Sequence, residues 1–369
     1  MALIEAGKDN LIKPLSTVTG IVEKRHTMPI LSNVLIEKQG SSLRMLGTDL
    51  EIQIQTSETL ETTGDDVRFT TSAKKLLDIL RALPDNQPIR LETDSNKLLI
   101  RSGKSRFNLH TLPAEDLPLV QLNTQVLNRI TLQQRELRAL LQKVQYAMAN
   151  QDIRYYLNGL YLVSESGMLK LVATDGHRLA YIETSSNSSN QQRCEAIIPR
   201  KTVLELGKQL ADSEEPVHID ICSNQIRFQF GSIDLVSKVI EGKFPDYNRV
   251  LPAHNNKIFS INRVLLLQAL QRVAILSNEK FRGVRVMLSD HLLRIQSANS
   301  EQEEAQEELD IQYPYDALDI GFNINYLLDV LNHSSCDDIQ LALGDSNGSA
   351  LVSEPGNASF RYVVMPMRI

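Results

Sequence analysis

The sequence predicts an α+β fold built from three repeated domains, because one strand-like pattern recurs along the chain at a nearly constant spacing. The pattern occupies residues 43–49, 169–175 and 293–299 and reads LRMLGTD, LKLVATD and LRIQSAN. Its last residues are 126 and 124 positions apart (175 − 49 and 299 − 175). A second set of anchors, at the starts of helix-like segments, keeps the same steps: Lys75, Lys201 and Asn325. Solenoid units have periods of roughly 20–50 residues, so this period is that of a whole domain, and three such domains in a row favour an arc.

Length and composition agree with this organisation. A chain of 369 residues suits two or three domains, and a hydrophobic content of 42% is enough for packed cores. No run approaches the roughly 18 apolar residues of a membrane span, and we see no signal peptide, so we expect a cytoplasmic protein. The net charge of −6 argues against tight, unassisted binding to nucleic acid or anionic lipid. The cysteines form no CxxC pair and are typical of idle thiols in a reducing compartment: Cys194, Cys222 and Cys336.

Each repeat is predicted to run helix, strands, helix, strands. The first helix is clearest in copy two, where apolar residues recur at helical spacing: Leu137, Leu140, Leu141, Val144 and Met148. Copy three has a similar stripe: Val264, Leu267, Leu270 and Ala274. In copy one Pro14 interrupts residues 10–22. We expect it in the first turn of the helix, where its missing N–H is tolerated.

The strands are predicted from alternating apolar and polar residues. One hairpin turns at Ser223 and Asn224, and its inward side chains are Ile219, Ile221, Ile226, Phe228 and Phe230. Ile52 and Ile54 alternate with glutamines in the same way. The dipeptide at residues 175–176, Asp-Gly, predicts a two-residue hairpin turn.

Two polar stretches, residues 121–128 and 252–257, are predicted to be linkers. The expected domains are therefore residues 1–125, 126–255 and 256–369. Residues 184–192 are almost entirely Ser, Asn and Gln, which predicts a mobile loop inside copy two.

No motif for catalysis or for a cofactor is found. Residues 103–105 resemble the end of a phosphate-binding loop, but Leu98 stands where that loop needs its first glycine, so a basic turn is favoured. Asp175 and His177 could form a base and its orienting group, yet no Ser or Cys nucleophile signature accompanies them. A dense acidic run is more typical of a solvated or partner-facing edge than of a metal site: Glu301, Glu303, Glu304, Glu307 and Glu308. We therefore predict no enzymatic activity, no metal and no cofactor.

Comparison between the repeats singles out two further features. Basic residues stand at the start of the second helix in copies one and two, where the helix N-terminus disfavours a cation by about 0.3–1 kcal/mol. They indicate either a solvated surface or a track for a polyanion, which would comprise Arg25, Lys74, Arg81, Arg138, Lys143, Arg200, Lys201 and Arg282. The second feature is the segment TDGHRL at 174–179 of copy two, because copy one reads TDLEI at 48–52, with neither His nor Arg. The chain also ends in an unusual apolar stretch, residues 362–369. Proline fits a strand poorly, whereas flexible methionines suit a peptide-binding groove.

Several longer segments resemble the bacterial DNA polymerase III beta subunit family, the replicative sliding clamps. They are MPILSN at 28–33, RSGKSRF at 101–107, QDIRYYLNG at 151–159, ATDGHRLA at 173–180, FPDY at 244–247, AILSNEKFRGVR at 274–285 and VVMPMR at 363–368. The resemblance implies a non-catalytic processivity factor. It would be a head-to-tail homodimer closed into a ring, with helices inside and sheets outside, that encircles double-stranded DNA without sequence preference. The implied partners are the clamp loader, the alpha subunit of the replicative polymerase, translesion polymerases and repair proteins.

The resemblance also implies three sets of site residues. The DNA-facing residues would be Arg25, Lys74, Arg81, Gln151, Tyr155, Lys201 and Arg282. A groove between copies two and three, for a peptide with a glutamine and apolar anchors, would use Leu157, Thr174, Gly176, His177, Arg178, Leu179, Pro245, Arg249, Val250, Val363, Val364, Met365, Pro366, Met367 and Arg368. The dimer interface would join a basic edge of copy one to an acidic edge of copy three through Lys75, Lys97, Lys104, Arg106, Phe107, Ile275, Leu276, Glu301, Glu303, Glu304 and Glu307.

Two alternatives stay open at this point. One is a peptide-binding scaffold that does not encircle DNA, and the other is a hydrolase that uses Asp175 and His177.

Overall fold

The structure is a computed structural model that describes residues 2–22, 28–61, 66–94 and 96–369. Arg25, one of the predicted DNA-facing residues, lies outside the described residues. Within them, no helix is long and apolar enough to cross a membrane. The three predicted repeats are present as three copies of one arrangement of helices and strands.

Each copy runs strand, helix, four strands, helix and three strands, and copy two has one additional short strand. Copy one contains β1 (Ala2–Ala6), α1 (Lys8–Thr19), β2 (Asn33–Gln39), β3 (Ser42–Thr48), β4 (Ile52–Thr59), β5 (Val67–Ser72), α2 (Ala73–Ala82), β6 (Ile89–Asp94), β7 (Lys97–Ser102) and β8 (Ser105–Leu112). Copy two contains β9 (Asn128–Gln133), α3 (Gln134–Val144), β10 (Gly159–Glu165), β11 (Met168–Thr174), β12 (Arg178–Ser185), β13 (Asn187–Ser188), β14 (Cys194–Pro199), α4 (Arg200–Gln209), β15 (Pro216–Ile221), β16 (Gln225–Phe230) and β17 (Ile233–Lys238). Copy three contains β18 (Lys257–Asn262), α5 (Arg263–Ala274), β19 (Gly283–Ser289), β20 (Leu292–Ala298), β21 (Glu304–Asp310), β22 (Leu318–Asn323), α6 (Ile324–His333), β23 (Asp338–Leu343), β24 (Ala350–Glu354) and β25 (Asn357–Val364).

The sheets continue from one copy into the next. One compact unit, residues 1–137, 187–190 and 204–239, holds a sheet in the order β1-β6-β7-β8-β5-β2-β3-β4-β17-β16-β15-β9-β13. The other unit, residues 138–186, 191–203 and 240–369, holds one sheet in the order β14-β10-β11-β12-β25-β24-β23-β18 and one in the order β21-β20-β19-β22. Copy one therefore joins copy two through β4 and β17, and copy two joins copy three through β12 and β25. The predicted domain boundaries stay a prediction.

The helices differ from the predicted ones in their ends and in one buried face. Helix α3 ends at Val144, and Met148 is buried only after a 3-10 turn at Gln145–Ala147. Because α1 begins at Lys8, Pro14 lies in the middle of that helix and not in its first turn. The stripe predicted for copy three is wrong in part. Leu270 is buried as predicted, but Val264 is 41% exposed, and the other buried residues of α5 are Leu266, Ala269 and Val273.

The hairpin predicted from alternation in copy two is confirmed, with Ile221 opposite Ile226 in β15 and β16. The predicted mobile loop at residues 184–192 is wrong in part. Its β13 pairs with Ile130 and Thr131 of β9. The side-chain oxygen of Asn128 accepts hydrogen bonds from three donors in this segment: Ser188 Oγ, Ser189 Oγ and Asn190 N. These bonds hold the polar segment against the edge of the sheet.

A buried lysine in copy one leads to a stability prediction. Lys38 in β2 is 0% exposed, and its Nζ has no hydrogen-bond partner in the described part of the chain. An unsatisfied polar group in an apolar interior costs about 1–3 kcal/mol. We therefore expect Lys38→Met to raise the free energy of unfolding by about that amount in urea denaturation. Lys13→Met, at an exposed position of α1, is the control and should change it little. A destabilised Lys38→Met would indicate that the ammonium group has a partner.

Candidate functional site

The turn between β11 and β12 forms one side of a hollow in the second unit. Thr174 Oγ1 accepts from the Gly176 N–H at 3.1 Å and donates to the Arg178 carbonyl at 2.6 Å. Asp175 Oδ1 accepts from the N–H groups of His177 and Arg178 at 2.9 and 3.1 Å. The predicted two-residue turn is wrong, since Thr174 pairs with Leu179 and four residues lie between them. Gly176 has φ +90°, a conformation that glycine adopts without strain.

The hollow has a volume of about 190 Å³ and is mostly apolar. It brings together nine of the fifteen predicted groove residues: Leu157, Thr174, Gly176, Arg178, Leu179, Pro245, Val250, Val363 and Met365. Met365 follows the end of β25, and its N–H donates to the His177 carbonyl at 2.9 Å. The chain end thus forms one wall of the hollow. That a peptide binds here stays a prediction.

The other predicted groove residues lie around this hollow or away from it. His177 is exposed, and the guanidinium of Arg249 is held at 3.2 Å by Asp246 on the surface. Val364 is buried beneath the turn, opposite Arg178 in the sheet. Met367 and Arg368 line a second, larger cavity of about 730 Å³, together with Ile369 and residues of β19, β20 and β21. Pro366 connects the two places.

Four lining residues were missed by the sequence analysis: Arg154, Tyr156, Phe244 and Tyr247. Phe244 stacks on Tyr161 with ring centroids 4.6 Å apart, as core aromatic residues commonly do. In the sequence alone it cannot be told apart from an ordinary core residue. Arg154 forms an ion pair with Asp152 at 2.8 Å. Hydrogen bonds from the side chain and the backbone of Arg154 lower the pKa of Asp152 to about 2. Arg154 also donates to the Asp175 carbonyl at 3.0 Å, which places a cation at the rim.

Arg178 fixes the turn from beneath. Its guanidinium forms ion pairs with Asp175 and Asp329 and donates to the Tyr146 carbonyl at 2.6 Å. It also lies over the ring of Tyr326, 4.6 Å from the centroid. Burial alone would lower the pKa of Arg178, but Tyr362 and Asp329 raise it overall. Arg178 is therefore a permanent cation that links copy two to copy three under the hollow.

A second link between these copies removes one residue from the predicted basic track. Lys143 of α3 is largely buried and donates to Glu354 of β24 at 2.5 and 2.6 Å. Glu354 also accepts from Ser334 Oγ at 2.6 Å and from Asn357 Nδ2 at 2.8 Å. Lys143 thus serves as a structural ion-pair partner within the chain.

This carboxylate predicts a pH dependence of stability. Burial alone would raise the pKa of Glu354, but the hydrogen bonds from Lys143, Ser334 and Asn357 bring it below its usual 4.5. A depressed pKa gives stability that is present above the unfolded-state pKa and is lost as the pH falls through the folded-state value. The difference in melting temperature between wild type and Glu354→Gln should therefore be largest near neutral pH and shrink below pH 4.5. The exposed Glu241→Gln serves as control, and a difference that is constant with pH would exclude ionisation of Glu354 as the cause.

The predicted DNA-facing residues in the described part of the chain lie at or near the surface. Lys74 and Arg81 are exposed on α2. In the second unit, Gln151, Tyr155 and Lys201 line one shallow depression of about 490 Å³. Arg282, which has φ +51°, is half-buried and donates weakly to Ser277 Oγ. Contact with DNA stays a prediction for each of them.

The predicted interface residues lie at the start of α2, on the β7–β8 hairpin, just after α5, and on β21 or just before it. Lys75, Lys97, Lys104 and Arg106 are exposed on the first unit, as is Phe107 of β8. In the second unit Ile275 is 77% exposed just after α5, and Leu276 beside it is half-buried. Glu301, Glu303 and Glu304 are exposed. Glu307 instead forms a bidentate ion pair with Arg272 at 2.7 Å, whose hydrogen bonds lower the pKa of Glu307.

The hydrolase alternative that the sequence left open finds no geometric support. The Asp175 carboxylate accepts a hydrogen bond from the backbone N–H of His177. A base and its orienting group would instead need a bond between the carboxylate and the imidazole ring. Gly103, with φ +54°, and Lys104 form the tight turn between β7 and β8, which confirms the basic turn that the sequence favoured. Among the described residues, no group of three or more His, Cys, Asp or Glu side chains is placed to hold a metal ion.

Comparisons with known proteins find similar chains over almost the whole length. Family models match for the DNA polymerase III beta subunit: the N-terminal domain at residues 3–121, the central domain at 131–246 and the C-terminal domain at 248–368. The chain is 45% identical over 362 residues to the beta sliding clamp of Pseudomonas putida and 42% identical over 363 residues to that of Escherichia coli K12, with 98% of each chain covered. Two solved structures are similar over 100% of both chains: a crystal structure of the DNA polymerase sliding clamp from Pseudomonas aeruginosa (43% identity, TM-score 0.95) and a structure of Caulobacter crescentus pol III beta (36% identity, TM-score 0.91).

Proposed function

Because the chain belongs to the DNA polymerase III beta subunit family, we propose that it is a sliding clamp. In this proposal it is the processivity factor of DNA polymerase III, two copies close into a ring around duplex DNA, and the ring tethers the polymerase without catalysing a reaction. Each copy of the repeat, within the boundaries 1–125, 126–255 and 256–369, supplies one sixth of the ring. The ring works in the cytoplasm, where the replicated DNA is.

The main support for the proposal comes from two strand edges, on β8 and β21. At the corresponding edges of the other copies a neighbouring strand is paired, whereas among the described strands these two edges have no such neighbour. The last strands of copies two and three, β17 and β25, pair with β4 and β12. Their counterpart in copy one is β8, and the counterpart of β4 and β12 in copy three is β21. Among the described strands, β21 pairs with β20 alone, and Ser105–Leu109 of β8 pair with β7 alone. A second copy placed head to tail would supply both missing partners and remove two exposed edges.

The repeats also give the register of this joint. Phe107 corresponds to Leu235, because each is the third residue of the last strand of its copy. Leu235 pairs with Ile54 of β4. Ile54 in turn corresponds to Ala305, which pairs with Ser297 as Ile54 pairs with Gly47. Phe107 would therefore face the partner's Ala305. The basic and acidic side chains of the two edges would then meet.

The hollow beside Met365 supports the second part of the proposal. Its apolar walls and its cationic rim at Arg154 suit a short peptide with apolar anchors and a polar head. We propose that the clamp loader, the alpha subunit of the replicative polymerase, translesion polymerases and repair proteins compete for this groove. One groove per chain gives two per ring, so partners must share or exchange.

The basic track supports a topological hold on DNA. The chain carries a net charge of −6, so long-range attraction to a polyanion is weak. Local cations such as Lys74 and Arg81 can form weak, transient contacts with DNA phosphates that do not hold the protein at one position. A closed ring then slides instead of dissociating.

Retention on DNA tests the proposal. The labelled protein is loaded by its clamp loader and ATP onto a nicked circular plasmid, which is then linearised. We expect long retention on circles and rapid loss from free ends. Equal lifetimes on both forms would mean ordinary binding and would favour a scaffold that does not encircle DNA.

A further inference from the structure

The two junctions within the chain share one turn but differ in what that turn presents. In copy one Thr48 Oγ1 accepts from the Leu50 N–H at 3.0 Å and donates to the Ile52 carbonyl at 3.1 Å. Asp49 Oδ1 accepts from the N–H groups of Glu51 and Ile52 at 2.9 and 2.8 Å. These are the bonds of the Thr174–Arg178 turn, displaced by 126 residues. The next strand is also held in the same way, since Lys238 N donates to the Glu51 carbonyl as Met365 N does to that of His177.

The residue in the left-handed position of this turn is Leu50 in copy one and Gly176 in copy two. Their φ angles are +76° and +90°. A leucine at positive φ is a strained choice, which needs a compensating contact. Leu50 makes one, because it packs against the apolar cluster of Leu31, Leu35, Leu46, Ala114 and Leu117.

That cluster corresponds to the walls of the groove in copy two. Leu31, Leu35 and Leu46 are 126 residues before Leu157, Tyr161 and Val172, which belong to the cluster around the groove. Ala114 and Leu117 come from the segment after the last strand of copy one, as Phe244 and Tyr247 do in copy two. The side chain of Leu50 thus fills the place that the absent side chain of Gly176 leaves open.

We propose that the residue at this turn position decides which junction carries a peptide groove: Gly176 opens the groove of the second junction, and Leu50 closes its counterpart at the first. In this proposal the side chain of Leu50 occupies, at the first junction, the place that the groove takes at the second. This inference rests on the proposed peptide binding and adds the residue that determines the number of sites. A Cβ at position 176 would lie 2.7 Å from Arg154 Nη1, the end of a flexible side chain, so a larger residue there would enter the groove beside Arg154.

The test compares Gly176→Leu with Gly176→Ala in the full-length dimer. The probe is a short fluorescent peptide that contains a glutamine, a leucine and a phenylalanine, titrated by anisotropy. Gly176→Leu should weaken binding by about 30-fold or more, because the isobutyl group takes the space of an apolar anchor. Gly176→Ala places a Cβ at the same positive φ and should weaken binding by about fivefold or less. Leu50→Gly is the matched variant at the first junction. The groove beside Gly176 should keep its wild-type affinity, and loss of the leucine side chain should open a second site, measured as more peptide bound per chain at saturation.

Each outcome separates the inference from the function on which it rests. If the wild type does not bind the peptide, the proposed function fails. If the wild type binds and Gly176→Leu binds equally well, the inference fails. It also fails if Gly176→Ala loses as much affinity as Gly176→Leu, since backbone strain and not bulk would then be the cause. Size-exclusion chromatography and thermal melting, unchanged from wild type, show that a loss of binding does not come from misfolding.

Discussion

Deletion of residues 365–369 is expected to abolish the stimulation of DNA polymerase and to leave the dimer intact. The deletion removes Met365, which lines the groove and is tied to the His177 carbonyl at 2.9 Å. It spares β25, which ends at Val364 and remains paired with β12. Loss of one groove wall should reduce peptide affinity by at least about 30-fold. Primer extension on a primed circle with loader and polymerase measures the first effect, and sedimentation measures the second.

Single substitutions separate the two places that the tail reaches. Met365→Ala should weaken peptide binding, whereas Met367→Ala should leave it near wild type, because Met367 lines the larger cavity beside β21. Continued stimulation by the truncated chain would remove the tail from the groove. An equal loss in Met365→Ala and Met367→Ala would mean that the tail acts as one unit through both cavities.

The repeat was visible in the sequence because the shared Thr-Asp pair has a structural task. Thr48 and Asp49, like Thr174 and Asp175, satisfy the backbone of a four-residue turn. A turn needs particular side chains at fixed positions, so its spacing survives between copies. The fold class and the existence of the helices follow from the same periodicities.

The buried face of α5 could not be predicted, for a physical reason. Residues 264–267 are apolar at every position, so the spacing of apolar residues does not select a face. Contacts with β20 and β21 decide it, and Val264 and Leu265 are left exposed. Lys38 is a different case. It is a charged residue at an inward-facing position of β2, and the alternation of the strand places its side chain in the interior.

The comparison between copies pointed to only part of the groove, and the family resemblance supplied the rest of the predicted lining, such as Leu157, Pro245 and Val250. His177, Arg178 and the methionine-rich tail stood out in the residues, whereas Tyr156, Phe244 and Tyr247 look like ordinary core aromatics in one sequence. The task of Arg178 also needed coordinates, because its partners Asp329 and Tyr146 are far away along the chain. The contacts bury Arg178 under the turn, and Arg154 is the cation at the rim.

Charge reversal at the acidic edge should break the ring. We expect the triple substitution of Glu301, Glu303 and Glu304 by lysine to raise the dimer Kd by at least about 100-fold, because the edge would then meet the basic edge of copy one. Glu307 is left unchanged, since Arg272 already pairs with it. The control reverses three exposed carboxylates of copy two, Asp212, Glu214 and Glu215, with the same change in net charge. An unchanged Kd in the first triple variant would remove these glutamates from the interface.

A second variant makes the head-to-tail geometry testable. Reversal of Lys97, Lys104 and Arg106 to glutamate should also abolish self-association, because two acidic edges would then meet. In an equimolar mixture of the two variants, each joint of a head-to-tail heterodimer is complementary. One joint keeps both wild-type edges, and the other has both charges reversed. Native mass spectrometry should therefore find heterodimers at concentrations at which each variant alone is monomeric. A mixture that stays monomeric would mean that these two edges do not face each other, since no other pairing restores both joints at once.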